Sequence, residues 1–478
     1  MKNISRAEIE KAYQEGVEAV IALIEGFVKE VREIRERVEE LENQKSKNSK
    51  NSHKPPSVDG FGKQTKSLRQ KSEKEIGGQT GHEGQNLKWE ETADVVIKHE
   101  VTACGVCGED LREIEGEVVE QRQVHDIPKV KIEVIEHQVE KKVCPHCKLV
   151  SISKFPSGVR EWVEYGEKVR GLVTYLNQYQ LIPSQRTQEI MKDVFDCKIS
   201  EGTIYNQVQK CYEMLEPVEE SIKAKIQESE VVHFDETGMR VNGSGQWLHV
   251  SSTKTHTHYQ VHQKRGQIAM DEIGILPNFK GKAVHDGFKS YNQYECKHYL
   301  CNAHHLRELV FVHEQLKQSW AEQMIKFLCK VNDLVKQSKL DGKSALEPSV
   351  ITKFELEFQT IIDSGYKSNP EPKIDPDLPK PKGRVKRSKP LNLILRLDAQ
   401  RKQTLGFMYD FAVPFDNNLA ERDIRMTKLR QKISGGFRSE SGAYAFARIR
   451  GYISTLKKQG LQVLDALINI FLGNPLFV

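Results

Sequence analysis

Three acidic residues in unlike settings carry the most chemistry in this sequence: Asp235, Asp286 and Glu421. Asp235 closes the apolar run Val231-Val232-His233-Phe234 and is followed by Glu236-Thr237-Gly238. Asp286 ends a second run, Ala283-Val284-His285, and is followed by Gly287. Glu421 lies in Asp416-Asn417-Asn418-Leu419-Ala420-Glu421-Arg422, at the head of a basic segment with helical spacing. Two strand-end aspartates and one helix-borne glutamate can hold a pair of hard divalent cations against a phosphodiester. Mg²⁺ prefers carboxylate oxygens, water and phosphate, and two such ions stabilise both the attacking and the leaving oxygen of an in-line displacement. Taken singly, each acid has a blander reading as a solvated turn residue, the usual place for a carboxylate.

The wording around the acids changes that balance. Segments 231–250, 283–309 and 414–446 carry Asp235-Glu236-Thr237-Gly238, Gly245-Gln246-Trp247-Leu248-His249-Val250, His285-Asp286-Gly287 with Tyr291-X-X-Tyr294, Cys301-X-X-His304-X-X-Arg307, and the Asp-Asn-Asn-X-Ala-Glu-Arg string at Glu421. These resemble the DDE transposases of bacterial insertion sequences, specifically the insertion-sequence-66 family. Asn48-Ser49, Asn51-Ser52 and Lys54-Pro55-Pro56-Ser57 extend the resemblance into the N-terminal half, so it covers nearly the whole chain. One departure is that Met426 stands where many members carry Pro, and Arg430-Gln431-Lys432-Ile433-Ser434-Gly435-Gly436-Phe437 replaces an Arg-Lys-Asn-Trp-like run. The resemblance implies a ribonuclease H-like catalytic fold and metal-dependent cleavage and strand transfer at Asp235, Asp286 and Glu421 with Mg²⁺ or Mn²⁺. It also implies double-stranded DNA partners (transposon ends and target), accessory proteins of the same element, and work in the bacterial cytoplasm, on the nucleoid when bound to DNA. Two other readings stay open beside it: a zinc-containing DNA-binding protein, and a ribonuclease H-like nuclease without strand-transfer activity.

A second constellation is sulfur-based. Cys104-X-X-Cys107 and Cys144-X-X-Cys147 are separated by 36 residues that include the alternating run Val130-Lys131-Ile132-Glu133-Val134-Ile135, read as a strand. Each pair offers two thiolates on a tight turn, and two pairs complete a closed tetrahedral Zn²⁺ site. A thioredoxin-like redox pair competes, but two such pairs around strands favour zinc, and a zinc ribbon is what the family resemblance implies. His125, His137 and His146 are competing ligands; Cys197, Cys211, Cys296, Cys301 and Cys329 are unpaired and read mostly as small apolar fillers.

The elements that must position these groups follow from pattern. At 478 residues, 38% hydrophobic and 29% charged, the chain reads as a multi-domain soluble α+β protein. Its net charge of +5 is unremarkable for this length, but cations gather in 45–74, 380–402 and 422–438. Glutamates interrupt the opening helix, so no secretory leader is expected, and Asp465, Asn469, Gly473 and Pro475 break the C-terminal apolar run. No membrane partner is expected, and the nine cysteines should stay reduced in the cytoplasm.

Residues 1–43 read as a coiled coil, with heptad positions Glu10/Tyr13, Val17/Val20, Ile24/Phe27, Val31/Ile34 and Val38/Leu41 predicting a homo-oligomer. Residues 44–93 read as a disordered basic linker, because nine Lys/Arg against four Asp/Glu between 43 and 87, with few apolar residues, cannot offset ordering entropy. The zinc-binding domain takes 94–150. A helix-turn-helix DNA-binding region takes 160–228, with Ser184 and Ser200 as N-caps. Thr203, Asn206, Gln207 and Lys210 are its base readers, and Ile204 and Val208 face inward. Plain helix packing explains the same pattern without DNA.

The catalytic core begins in 229–309, with strands at 231–234, 239–241, 247–251, 257–262, 282–285 and 297–300 and a hairpin turn at Asn242-Gly243-Ser244-Gly245. A mostly helical insertion fills 310–410, the core resumes in 411–446 with the Glu421 helix, and 447–478 is a helical C-terminal segment. Glu421, Arg425 and Lys428 fall at i, i+4 and i+7, so one helical face would join a metal ligand to DNA-contacting cations, with Arg422 beside it. Intrahelical salt pairing is the alternative for those cations. His304 either orients the second aspartate, contacts DNA, or is a hydrogen-bonded core histidine.

Overall fold

The computed structural model describes residues 5–45, 47, 48, 51, 52, 87–156, 158–372 and 387–478. Among these, the chain divides into two compact units, Met1–Thr65 with His137–Glu189 and Ile199–Val478, and Lys66–Glu136 with Ile190–Lys198.

Helix α1 (Arg6–Glu15) starts with a capping box in which Ser5 and Glu8 satisfy each other's backbone N–H groups. It stops at Gly16, whose φ of +107° suits glycine. Helix α2 (Val17–Lys45) follows. The expected single heptad helix is therefore broken at Gly16, and the Glu10/Tyr13 layer lies on a separate helix. On α2 the stripe Ile24, Phe27, Val31, Ile34, Val38 and Leu41 is exposed. Within the expected linker, Asn51 and Ser52 are buried, with Asn48 N–H donating to Asn51 Oδ1 at 2.7 Å, so these two residues depart from a fully solvated spacer. The span 53–86 lies outside the described residues.

The cysteine region holds little regular structure. Strands β1 (Lys141–Val143) and β2 (Val150–Ile152) form an antiparallel hairpin. The strand expected at Val130–Ile135 does not form, and Val134 and Ile135 are exposed. Alternating sequence makes a strand only where a neighbouring strand supplies the ladder.

Next come α3 (Glu167–Thr174), a π-helical turn at Tyr175–Tyr179, α4 (Ser184–Phe195), α5 (Glu201–Met214) and α6 (Glu216–Gln227). Ser200 caps α5, its hydroxyl accepting the Thr203 N–H at 3.0 Å. Ser184, expected to be a cap, is the first residue of α4 instead. Val208 and Cys211 of α5 and Val218 and Ile222 of α6 join a core with Val232 and Phe234, so α5 and α6 share their interior with the sheet that follows.

That sheet is built from β3 (Val231–Val241), β4 (Ser244–Ser252), β5 (Thr257–His262), β6 (Lys282–His285) and β7 (Lys297–Leu300), in the order β5-β4-β3-β6-β7. The first three form an antiparallel meander, and β6 and β7 run parallel to β3. The two short strands expected at 231–234 and 239–241 are one strand. Asn242 and Gly243 turn the hairpin with φ of +48° and +74°, the positive pair that a two-residue turn requires. Period-two alternation sends Val232 and Phe234 to one face of β3, and Met239 and Val241 to the other.

Helix α7 (Gln267–Ile273) links β5 to β6, and α8 (Asn302–Leu316) follows β7. The insertion comprises α9 (Ser319–Leu340), α10 (Pro348–Ser368), α11 (Lys389–Ala399) and the short turns α12 (Arg401–Thr404) and α13 (Gly406–Tyr409). It buries its own core around Trp320, Phe327, Phe358 and Ile362. Helices α14 (Asn418–Ser434), α15 (Glu440–Lys458) and α16 (Val463–Phe471) complete the chain. Helix α16 lies so close on α3 that a Cβ at Gly171 would sit 2.5 Å from the Ile468 side chain, so glycine is required there. Among the described residues no helix is long and apolar enough to cross a membrane.

Candidate metal and nucleic-acid site

Asp235 lies within β3, opposite Val250 on β4, rather than at a strand end. Its alternation places it on the side of His233 and Met239, where α14 packs. Its Oδ1 accepts the Glu236 N–H at 2.9 Å. Burial, then the charges of Glu236 and Asp286, and more weakly that of Glu421, hold its carboxyl well above the ordinary range.

Asp286 immediately follows β6, which is parallel to β3 and adjacent to it. Gly287, at φ +88°, turns the chain sharply enough for Asp286 Oδ1 to accept the Phe288 N–H at 2.9 Å. Glu421 occupies the first turn of α14. Its Oε2 lies 3.5 Å from Arg307 Nη2 and its Oε1 3.9 Å from His304 Nδ1. The Oε1 atom is buried without a hydrogen-bond partner among the described residues. His304 therefore stands beside the glutamate.

The three acids are thus neighbours in one electrostatic environment, but they do not form the tightest ligand set. Among the described residues, the one group of three metal-capable side chains whose atoms all lie within 4.8 Å is Cys301, His304 and Glu421. Like charges repel in a site of low dielectric, and Arg307 offers Glu421 an opposite charge at 3.5 Å. Cys301 itself is buried, which pushes its thiol up to about 12, so it is a neutral thiol near neutral pH.

Asn417 ties these pieces together. Its Nδ2 donates to the Phe234 carbonyl at 2.8 Å, one residue before Asp235, and its Oδ1 meets His233 Nδ1 at 2.8 Å. The amide nitrogen can only donate, so Oδ1 is the acceptor and His233 carries its proton on Nδ1. Burial drops His233 to about 4, so the ring is neutral near pH 7. The Asn417 backbone N–H also reaches Cys301 Sγ at 3.1 Å. One buried amide therefore fixes the start of the Glu421 helix against the Asp235 strand. Further along α14, Lys458 donates to Asp423 Oδ2 at 2.9 Å, with both side chains nearly buried, and also to Ser252 and Thr257.

The expected cationic face of α14 is only partly realised. Arg422 and Arg425 are exposed. Lys428 instead points inward and donates to the Gly238 carbonyl at 2.6 Å, and burial lowers its pKa. The packing of α14 on β3 wins over an outward position for this lysine. On α5, Asn206 and Lys210 are exposed, Thr203 and Gln207 are half-buried, and Ile204 and Val208 are buried.

The two cysteine turns, each taken by itself, have the same geometry. Cys104 N–H donates to Glu109 O and Gly108 N–H to Cys104 O, both at 2.9 Å. In the other, Cys144 N–H donates to Leu149 O at 2.8 Å and Lys148 N–H to Cys144 O at 3.0 Å. Gly108 and Lys148 occupy equivalent left-handed positions, with φ of +78° and +58°. Backbone N–H groups, first that of Cys107, lower the Cys104 thiol to about 7; the Cys147 N–H likewise lowers Cys144. Turns that favour thiolate in this way suit metal ligation.

Sequence reading missed five residues of this arrangement: Asn417, Asp423 with Lys458, Glu236 and Arg265. Asn417 and Glu236 lie inside the very strings that drew attention to their acidic neighbours, and that was the available signal. Arg265 and Lys458 had none.

Residues 163–445, more than half of the chain, match the family model described as "Transposase IS66 family". Residues 102–148 match the "zinc-finger binding domain of transposase IS66", and residues 2–88 match a family of unknown function. No curated protein matches the chain.

Proposed function

The chain belongs to the IS66 family of transposases, and from that premise we propose that it binds the ends of its mobile element, cleaves them and joins the freed 3′ hydroxyl to target DNA. The observation that carries this reading is geometric: Asp286 follows the strand parallel and adjacent to that of Asp235, and Asn417, at the start of the Glu421 helix, donates to the carbonyl just before Asp235, although the three acids are spread over 187 positions. The sheet supports a ribonuclease H-like reading: a three-stranded meander with two parallel strands added beside its first strand, and acids on β3 and immediately after the adjacent β6.

The donor set suits a hard divalent cation, since Asp235, Asp286 and Glu421 are all carboxylates and Glu421 Oε1 is a buried oxygen without a hydrogen-bond partner among the described residues. Mg²⁺ or Mn²⁺, when bound, would supply an activated water or 3′ hydroxyl and stabilise the departing 3′ oxygen. Asp235 and Asp286 would hold such ions from fixed strands. Glu421 would join them by turning from Arg307 and His304 about its own side-chain torsions. Asn417 keeps its helix start in register while it does so.

Cys104, Cys107, Cys144 and Cys147 would hold one Zn²⁺, consistent with the zinc-finger match across 102–148. Arg422 and Arg425 would contact DNA phosphates, and Thr203, Asn206, Gln207 and Lys210 would read bases if α5 enters the major groove. The exposed stripe on α2 would pair with a second copy, over the four heptads left after the break at Gly16. The enzyme would act on the nucleoid, with accessory proteins of its element.

The deciding experiment uses Asp235→Ala, Asp286→Ala and Glu421→Ala. Each should abolish Mg²⁺-dependent nicking of element-end DNA while leaving binding of that DNA within about threefold, because phosphate contacts elsewhere supply most affinity. Nicking retained by any one purified variant removes that residue from the set.

A further inference from the structure

Arg265, on the loop between β5 and α7, is built into the site by contacts on three sides. Its Nε and Nη2 both lie 2.8 Å from Glu236 Oε1. Its guanidinium carbon sits 4.9 Å from the Trp247 ring centre and 4.2 Å from that of Phe288. Glu236 in turn has its other oxygen held by the Tyr291 hydroxyl at 2.6 Å, and its side chain is only 1% exposed. Tyr291 stacks on His285, the residue before Asp286, with ring centres 4.4 Å apart. Two aromatic rings, a buried carboxylate and a buried phenol therefore fix the direction of one guanidinium.

What this clamp aims is the informative part. Arg265 Nη2 lies 3.9 Å from Asp286 Oδ2, and the side chain keeps 37% exposure. No hydrogen bond among the described residues occupies its Nη1. A purely structural arginine would be expected to spend its donors on protein acceptors. This one presents an open, rigidly oriented edge beside a metal-binding carboxylate. Arginine's planar fork matches the two non-bridging oxygens of a phosphate.

Resting on the transposase reading, we propose that Arg265 contacts a backbone phosphate of the DNA strand lying against Asp286, with Glu236 as the positioning residue that orients it. Glu236 is then not a fourth metal ligand. Its two oxygens are committed to Arg265 and Tyr291, and it couples the loop after β5 to the loop after β6.

The test measures binding of a labelled duplex carrying the element's end sequence across a salt series, together with Mg²⁺-dependent nicking, for the full-length protein, R265Q and R265K. Loss of one phosphate contact lowers the slope of log K against log salt by about 0.9. R265Q should show that drop and nick about 10–100-fold more slowly, the effect of one charge-assisted hydrogen bond. R265K keeps the charge but not the fork, so it should restore the slope while its nicking stays below that of the parent. A parental slope in R265Q overturns the phosphate contact, even if nicking falls. Failure of R265K to restore the slope overturns it as well, because the lost contact then is not one of charge. If the parent protein itself neither binds nor nicks the duplex, the transposase reading fails first.

Discussion

The sharpest prediction concerns Asn417→Ala. The side chain is 1% exposed and makes two buried hydrogen bonds, to the Phe234 carbonyl and to His233 Nδ1. Truncation leaves a carbonyl and a ring N–H unsatisfied inside the protein, at about 1–3 kcal/mol each. Local relaxation should recover part of this, so the loss is set at about 2–4 kcal/mol. With roughly 2–4 °C per kcal/mol for a domain of this size, calorimetry should show a melting temperature lower by about 4–16 °C. The kinetic effect should be larger than this loss of stability suggests. Freed from β3, the first turn of α14 no longer fixes Glu421 relative to Asp235, and misplacement of a catalytic group by about 1 Å can cost about a hundredfold. Nicking by the still-folded variant, measured well below its melting point, should fall by about that factor. Parental nicking in a destabilised Asn417→Ala protein would refute the reasoning, since it would show the amide to be a stability device alone.

Two further outcomes follow. Burial first, and then neighbouring acids, raise the Asp235 carboxyl above its ordinary range. Its ionisation cost is therefore absent below the unfolded pKa, about 3.9, grows as pH rises, and is full above the folded value. Because Mg²⁺ competes with that proton, Mg²⁺ should raise the melting temperature more at about pH 8 than at about pH 5.5, and equal shifts in a fluorescence melt would contradict this. Lys148 holds a left-handed conformation that Gly108 supplies at the equivalent point of the other cysteine turn; Lys148→Gly should relieve about 1–2 kcal/mol of left-handed strain and slow zinc loss to a chromogenic chelator, whereas faster loss would count against the equivalence.

Much of this protein is written locally. Strands 257–262, 282–285 and 297–300 were readable because short runs carrying apolar or β-branched residues, Tyr259 and Val261, Ala283 and Val284, Tyr299 and Leu300, lie between polar segments and leave few alternatives. The paired cysteines announced two knuckles because ligand spacing is a property of one short turn. Asp235, Asp286 and Glu421 stood out through the strings that contain them.

Other features could be decided only by contacts across the fold. The alternating run at 130–135 has strand chemistry but no neighbouring ladder, so it stays irregular. Lys428 has the spacing of an outward cation, yet the packing of α14 on β3 offers it the Gly238 carbonyl and draws it inward. Arg265 carries no motif at all; its role arises where β4, the loop after β6 and the strand of Asp235 meet. Periodicity and spacing fix what a residue can do with its sequence neighbours. Which distant acceptor, ring or carboxylate it meets depends on strand order and on a helix start pinned by one buried amide, and neither is encoded within any single window of the chain.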